Sequence, residues 1–343
     1  MAAAATSRES MAINGDAGGA AATPQRSAGR GRSRRRRQDL RVVDGLLLLD
    51  KPVGVTSNGV LQQVKRLFKA RKAGHTGSLD PLASGMLPLC FGQATKVSAY
   101  LLGADKVYRV QARFGARTDT ADADGQVVAE SPVTEVSREA LESALSQFRG
   151  DIQQVPPMYS ALKKDGKRLY ELARAGQVVE RDARPVTIHA LDIEAYDPGC
   201  PVLRVSCSKG TYVRTLIEDI AVAAGTLGHV AALRRLSVEP FPDDGLVSLA
   251  ALEQAAEAGG VAALDRFLLP IDAALGGWPS IYLNEAESRY VQQGHPVHAR
   301  VAGESGRVRM YDETRRFLGI GEVSCDGRLA PKRLFVERSA TGG

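Results

Sequence analysis

The segment that most restricts the fold is Lys106-Val-Tyr-Arg-Val-Gln-Ala-Arg-Phe114. Tyr108, Val110, Ala112 and Phe114 fall on one side of it, and Val107, Arg109, Gln111 and Arg113 on the other. Alternation with period two is the pattern of a strand, here with a mostly polar second face. Gly45-Leu-Leu-Leu-Leu-Asp50 is a short continuous apolar run that suits a buried strand. After Ser57-Asn58, good N-cap residues, Val60, Leu61, Val64, Leu67 and Phe68 recur at helical spacing, with Gly74 placed to end that helix. The Asp-rich turn 118–125 leads into Gln126-Val-Val-Ala129 as a hairpin partner of the strand at 106–114. Further strands are expected over 186–195 and 202–207, and helices over 138–148, 167–175 and 212–224.

Strands and helices are interspersed without a regular βαβ beat. That argues for an α+β fold, a mixed and largely antiparallel sheet flanked by helices. From about Pro270 the pattern changes to short strand-like pieces at 307–311, 317–323 and 334–337, a small β-rich C-terminal domain. The expected division is a disordered Arg-rich tail over 1–40, a body over 41–270 and the small domain over 275–340. The tail is Ala, Gly, Ser and Arg with almost no large apolar side chain, so it cannot offset the entropy of ordering.

Charge enters because it is unevenly placed. The whole chain carries +6, and residues 1–41 alone hold nine Arg against Glu9, Asp16 and Asp39, also +6. The body is formally neutral, so bulk charge gives no reason to assign it a polyanionic partner. The Arg34-Arg35-Arg36-Arg37 run reads equally as a solubilising tail or a loose phosphate-binding arm. Cys90, Cys200, Cys207 and Cys325 lie far apart without zinc-ligand spacing, so a reducing cytoplasmic protein with no structural metal is expected. No run of eighteen apolar residues and no signal-peptide core is seen, so neither a membrane span nor secretion is expected. Phosphate-loop, HExxH and GxSxG motifs are missing, and the Asp119–Gly125 turn would place Ser131 where a calcium loop needs a bidentate Glu.

The informative string is Gly74-His-Thr-Gly-Ser-Leu-Asp-Pro-Leu-Ala-Ser-Gly85. Its glycines and its Asp-Pro bend the backbone and present Asp80 on a constrained loop. By spacing alone Asp80 could be a turn or N-cap carboxylate. The full string resembles the catalytic loop of the TruB family of pseudouridine synthases, which isomerise uridine 55 in the T-arm of transfer RNA. Leu47-Leu-Leu-Asp-Lys-Pro52, Lys106-Val-Tyr-Arg109, the 117–125 turn, Pro156-Pro-Met-Tyr-Ser-Ala-Leu-Lys163, Cys207-Ser-Lys-Gly-Thr-Tyr-Val-Arg-Thr215 and His229-Val-Ala-Ala-Leu-Arg-Arg235 follow in the family's order. The likeness is strong over about 44–240. It is weaker around Gly294 and 319–334, where it is to the PUA-like RNA-binding domain these enzymes carry.

The resemblance implies an isomerisation without cofactor or metal. Asp80 would be the nucleophile, at C1′, at C6, or assisting glycal formation. Arg214, just inside a helix N-terminus where the macrodipole disfavours it, would be its buried bidentate partner and hold it ionised. Tyr108, on spacing an ordinary core tyrosine, would stack on the flipped uracil and serve proton transfer at C5. His75 would fill the place the base vacates, and Tyr212 and Leu233 would line the site. Lys51 and Pro52 would buttress the loop. Lys163, Lys164, Lys167 and Arg168, otherwise a solvated helix start, would contact RNA backbone from a gripping lobe over about 150–180. The implied partner is the T-arm stem-loop of transfer RNA, bound by a monomer without a membrane or an obligatory protein partner. The rivals are a guide-RNA-dependent, dyskerin-type synthase and a transfer RNA folding chaperone.

Overall fold

The computed structural model describes residues 40–160, 162–164, 166–298 and 305–335. The tail expectation for 1–40 lies almost wholly outside these residues, as does the end of the strand expected at 334–337. Nine strands form the main sheet: β1 (Gly45–Lys51), β2 (Ala73–His75), β3 (Ser84–Phe91), β4 (Lys106–Phe114), β5 (Gly150–Gln154), β6 (Arg184–Ala195), β7 (Val202–Cys207), β8 (Gly228–Val238) and β9 (Val247–Ser248). Their spatial order is β9-β1-β3-β8-β4-β7-β6-β5, with β2 also paired to β3. All pairs are antiparallel except β1 with β9 and β3 with β8. The sheet is therefore mixed and largely antiparallel, as its alternating strands demand.

The apolar face of β4 does what its pattern requires. Val110, Ala112 and Phe114 are buried with Leu47 and Leu49 of β1 and Leu203 and Val205 of β7, under helices Ser57–Leu67, Arg138–Ser146, Val213–Ala223 and Leu249–Asp265. On the opposite face, Leu46, Leu48, Met86 and Cys90 form a second core with Ile320 of the C-terminal sheet. The half of that face formed by β4 and β7 keeps Arg109, Arg113 and Arg204 exposed. The C-terminal sheet comprises β10 (Ser280–Leu283), β11 (Val297–His298), β12 (Gly306–Asp312), β13 (Phe317–Val323) and β14 (Arg328–Leu334), in the order β10-β12-β13-β14-β11. Among the described residues no helix is long and apolar enough to cross a membrane.

Several local expectations change. The first helix is capped by Thr56, whose side chain accepts from Gly59 N–H, and Ser57 is its first residue. That helix stops at Leu67 because Lys69 takes a left-handed conformation (φ 48°), so Gly74 is free to lie in β2. Val127–Glu130 pairs with the short strand Ala116–Thr118, since Gly115 (φ 93°) breaks the chain away from β4. Lys167–Arg168 pairs with Lys163–Lys164 as a small hairpin, and the helix expected there is shortened to Leu169–Arg174. The last strand is Arg328–Leu334, extended toward the N-terminal side of the expected piece by its pairing with β13.

Candidate active site

Asp80 lies on the crossing from β2 to β3, and three ties hold that crossing down. Lys51, fully buried at the end of β1, donates through Nζ to the carbonyls of Ala83 (2.6 Å), Pro52 (2.9 Å) and Pro81 (3.4 Å). Ser57 Oγ donates to Leu79 O (2.9 Å) and accepts from Leu79 N–H (2.7 Å). Gly54 N–H donates to Pro81 O (2.8 Å), and Ala83 N–H closes back on Asp80 O (3.1 Å). Burial, partly offset by the Asp80 charge, lowers the Lys51 pKa to about 8. Gly85 (φ 99°) is required where the loop enters β3, because a Cβ there would stand 2.1 Å from Arg235 O.

Arg214, the second residue of helix Val213–Ala223, reaches this loop. Its Nε is 3.0 Å from Asp80 Oδ2. The bidentate pairing expected from sequence is not formed, because the other nitrogens have partners of their own. Nη1 donates to Thr120 O (2.6 Å) and lies 3.5 Å from Asp122 Oδ2, while Nη2 donates to Tyr159 O (2.8 Å). Asp122, itself 4 % exposed, is thus a second carboxylate on the same guanidinium. From sequence the Asp-rich turn that carries it reads as a failed calcium loop and as one string of the resemblance, with no role for Asp122 itself. The guanidinium is spread over four acceptors and almost fully buried, which fixes Nε in direction.

Asp80 remains open on one side, its side chain 44 % accessible, while protein surrounds the rest. Burial raises its pKa, with Asp122 and Asp124 pushing the same way, and Arg214 and Lys51 only partly oppose this. Desolvation is the largest influence on Asp80, and Arg214 is the largest one that favours its ionised form.

Tyr108 is half-buried on β4, directly opposite Arg235 on β8 and Val205 on β7. Burial raises the Tyr108 pKa, and the adjacent Arg235 charge is the largest opposing influence. Arg235, 1 % exposed, donates to Met86 O (2.7 Å) and Gly77 O (3.1 Å), one carbonyl on each side of Asp80 in sequence. Its role is not visible in composition or spacing beyond its place in the 229–235 string. His75 stands on β2 with Nδ1 buried and unpartnered, its pKa lowered by burial and by Arg235. Tyr212 caps the Arg214 helix and is clamped by Gln154, whose Oε1 accepts from Tyr212 N–H (2.7 Å) and whose Nε2 donates to Tyr212 O (3.1 Å). Burial raises the Tyr212 pKa, and Leu233 is buried on β8. Pro52 contributes its carbonyl to Lys51. Lys163, Lys164, Lys167 and Arg168 are all exposed on their hairpin, with Lys164 Nζ donating to Glu180 O (2.6 Å).

An acidic side chain on a braced loop, held by a directed guanidinium and reached from open solvent, suits a pseudouridine synthase, whose chemistry detaches a base and reattaches it without group transfer. Family comparison specifies which kind. Residues 65–213 match the TruB family pseudouridylate synthase N-terminal domain, 214–276 the tRNA pseudouridylate synthase B C-terminal domain, and 279–335 the C-terminal domain of pseudouridine synthase II TruB. The chain is 56 % identical over 295 residues to tRNA pseudouridine synthase B of Pseudomonas aeruginosa (strain UCBPP-PA14), covering 86 % of this chain and 97 % of that one. It is 55 % identical over 295 residues to the protein of the same name from Ectopseudomonas mendocina (strain ymp), covering 86 % and 96 %. The chain belongs to the TruB family of pseudouridine synthases. Its fold is shared with a chain of a Cbf5-Nop10-Gar1 complex (TM-score 0.68, 23 % identity, 86 % of each chain) and with one of an archaeal box H/ACA sRNP Nop10-Cbf5 complex (TM-score 0.65, 24 % identity, 87 % and 88 %).

Proposed function

We propose that this enzyme converts uridine 55 in the T-arm of transfer RNA to pseudouridine, with Asp80 as nucleophile. The observation that carries the assignment is the 3.0 Å contact from Arg214 Nε to Asp80 Oδ2 on a loop open to solvent. It leaves Oδ1 for the substrate. The target base leaves its stack to reach the site. The N1–C1′ bond breaks, the uracil turns, a C5–C1′ bond forms, and the C5 proton is then lost while N1 gains one, so the product is an isomer of the substrate. Tyr108 stacks on the uracil and receives that proton, Tyr212 and Leu233 line the site, and His75 takes the place the base vacates. No cofactor enters.

Lys163, Lys164, Lys167 and Arg168 contact RNA backbone within a lobe over about 150–180, and the domain over 275–340 is a PUA-like RNA-binding unit beside a catalytic domain over 41–270. The enzyme acts in the cytoplasm as a monomer without guide RNA or protein partner. Identity of 55–56 % to relatives named tRNA pseudouridine synthase B supports this over the guide-dependent reading, since the Cbf5 likeness, at 23–24 % identity, is one of fold.

The deciding experiment is Asp80→Asn assayed on a T-arm stem-loop without other factors. Wild type is expected to form pseudouridine, and the variant to bind the stem-loop within about threefold of wild type, under 1 kcal/mol, while forming none. Substantial turnover by the variant would remove Asp80 from the nucleophile's role, and wild type inactive until guide RNA is added would favour the guide-dependent alternative.

A further inference from the structure

Arg235 is the one fully buried guanidinium among the described residues for which the reaction as set out gives no task. Its neighbour Arg234 points to the other face of the sheet and is paired by both nitrogens with Asp50 (2.9 Å each), and Arg109, opposite Arg234 in register, pairs with Glu194 (2.8 Å). Arg235 is 1 % exposed, yet no carboxylate pairs with it among the described residues. Burying a cation without a counter-charge is expensive. A strand core position would be filled more stably by an apolar side chain of similar volume, so packing does not explain it.

Its surroundings suggest what does. The Gly77 and Met86 carbonyls that it binds bracket the Asp80 loop. Gly77 (φ 76°) would place a Cβ 3.4 Å from Nη1, so the loop is closely fitted to the guanidinium. Tyr108 and Arg235 are directly opposed on adjacent antiparallel strands, which puts both side chains on the same face, and the guanidinium charge acts on the Tyr108 phenol. Arginine can only donate hydrogen bonds. In a hydrogen bond between the two side chains the Tyr108 oxygen is therefore the acceptor.

We propose that Arg235 is a positioning residue for the reaction, one that aims the Tyr108 oxygen at the C5 proton and clamps both flanks of the Asp80 loop in one movement-resistant unit. This rests on the role given to Tyr108 above. In the step concerned, the Tyr108 phenolate takes the C5 proton. The electron pair of the C5–H bond forms the C5–C6 double bond, the N1–C6 π pair moves onto N1, which takes a proton from water, and the resulting phenol returns its own proton to water. Arg235 supplies the positive charge that stabilises the phenolate. The other ionisable groups around Tyr108 are Cys207 on β7 and Asp80 on the loop. Those around Arg235 are Lys51 on β1, His75 on β2 and Lys106 on β4. Removing Arg235 removes the largest influence that opposes burial at Tyr108, so less phenolate forms at a given pH.

The test is the pH dependence of single-turnover rate on a T-arm stem-loop for Arg235→Gln, Arg235→Lys and Tyr108→Phe. Arg235→Gln is expected to bind RNA within about twofold of wild type, with its rising limb moved up by about one pH unit or more, so that the rate falls about tenfold at neutral pH and partly recovers in alkali. Arg235→Lys, which keeps the charge but not the fork, should show a smaller shift in the same direction. In a Tyr108→Phe background, Arg235→Gln should move the profile no further. If Arg235→Gln loses RNA binding through misfolding, Arg235→Lys decides. A uniform rate loss with an unmoved limb in the deciding variant overturns the proposal, because a purely structural residue would behave so. A fully active Tyr108→Phe overturns the role of Tyr108 instead, which keeps the two failures distinct.

Discussion

Ser57 and Leu79 exchange two hydrogen bonds through a single hydroxyl, which donates to Leu79 O at 2.9 Å and accepts from Leu79 N–H at 2.7 Å. The pair joins the first turn of helix Ser57–Leu67 to the residue just before Asp80. A backbone group satisfied by a buried side chain cannot turn to water when that side chain is removed. The tie restrains the loop against the helix at the residue next to the Asp80 carboxylate.

Ser57→Ala tests this directly. Both Leu79 groups lose their partner, and unfolding free energy should fall by about 1–3 kcal/mol. Because the altered segment is adjacent to Asp80, the rate on a T-arm stem-loop should fall more than RNA affinity does. Denaturant melts and single-turnover assays on the same preparation check it, and an affinity loss as large as the rate loss would show that the tie does not act on the carboxylate.

The Arg214 contact has a pH signature. Burial raises the Asp80 pKa and Arg214 opposes it, so the carboxylate reaches its active, ionised form only above the ordinary aspartate range. Activity on a stem-loop should fall on the acid side with a limb above about 3.9, the unperturbed aspartate value. Arg214→Gln should move that limb to still higher pH, and Arg214→Lys should lose rate at every pH because one ammonium cannot serve Asp80, Asp122, Thr120 O and Tyr159 O together. A limb that stays in place in Arg214→Gln would mean that Arg214 does not act on Asp80 through charge.

What was legible beforehand follows from what each signal measures. The β4 alternation reports burial on one face, and the strand is found at Lys106–Phe114 as read. Helix Val213–Ala223 likewise follows its apolar spacing. The first helix ends ahead of Gly74 because Lys69 adopts a left-handed conformation that glycine would ordinarily fill, and sequence gives no warning when another residue takes that conformation. The Asp80 loop was legible as a string, and of its bracing only the Lys51–Pro52 buttress that the resemblance implies; the ties through Ser57, Gly54 and Arg235 were not. Lys51, Asp122 and Arg235 are charged residues that sequence places on surfaces by default, and only the fold shows that they are buried among backbone carbonyls or around Arg214.

Helix Val213–Ala223 carries a second ionisable feature. Glu218, four residues after Arg214, is largely buried, and burial lifts its pKa from 4.5 to about 7 against the pull of Arg117 and Arg214. In that interval the folded protein binds more protons than the unfolded chain, so stability from this group declines as pH rises from about 4.5 through 7. Glu218→Gln removes the ionisation. Its thermal midpoint should exceed that of wild type at pH 8 by more than it does at pH 5. An equal difference at both values would show that Glu218 does not titrate between them.

The basic hairpin is open to a salt titration. Lys163, Lys164, Lys167 and Arg168 are exposed, and the body that carries them is formally neutral, so contacts to RNA backbone must come from local clusters of this kind. Each phosphate neutralised releases counterions, which makes the logarithm of affinity fall with the logarithm of salt concentration by about 0.7–0.9 per contact. Lys163→Gln and Lys167→Gln should each reduce the magnitude of that slope by about this amount if they contact phosphate, and the double variant should reduce it by about twice as much. Lys164→Gln should have a smaller effect, because its ammonium already donates to Glu180 O at 2.6 Å and must leave that carbonyl to reach RNA. Slopes from stem-loop binding across a range of salt concentrations measure this. If all three variants keep the wild-type slope, the hairpin is a solvated surface turn, and the grip on RNA must be sought elsewhere on the body.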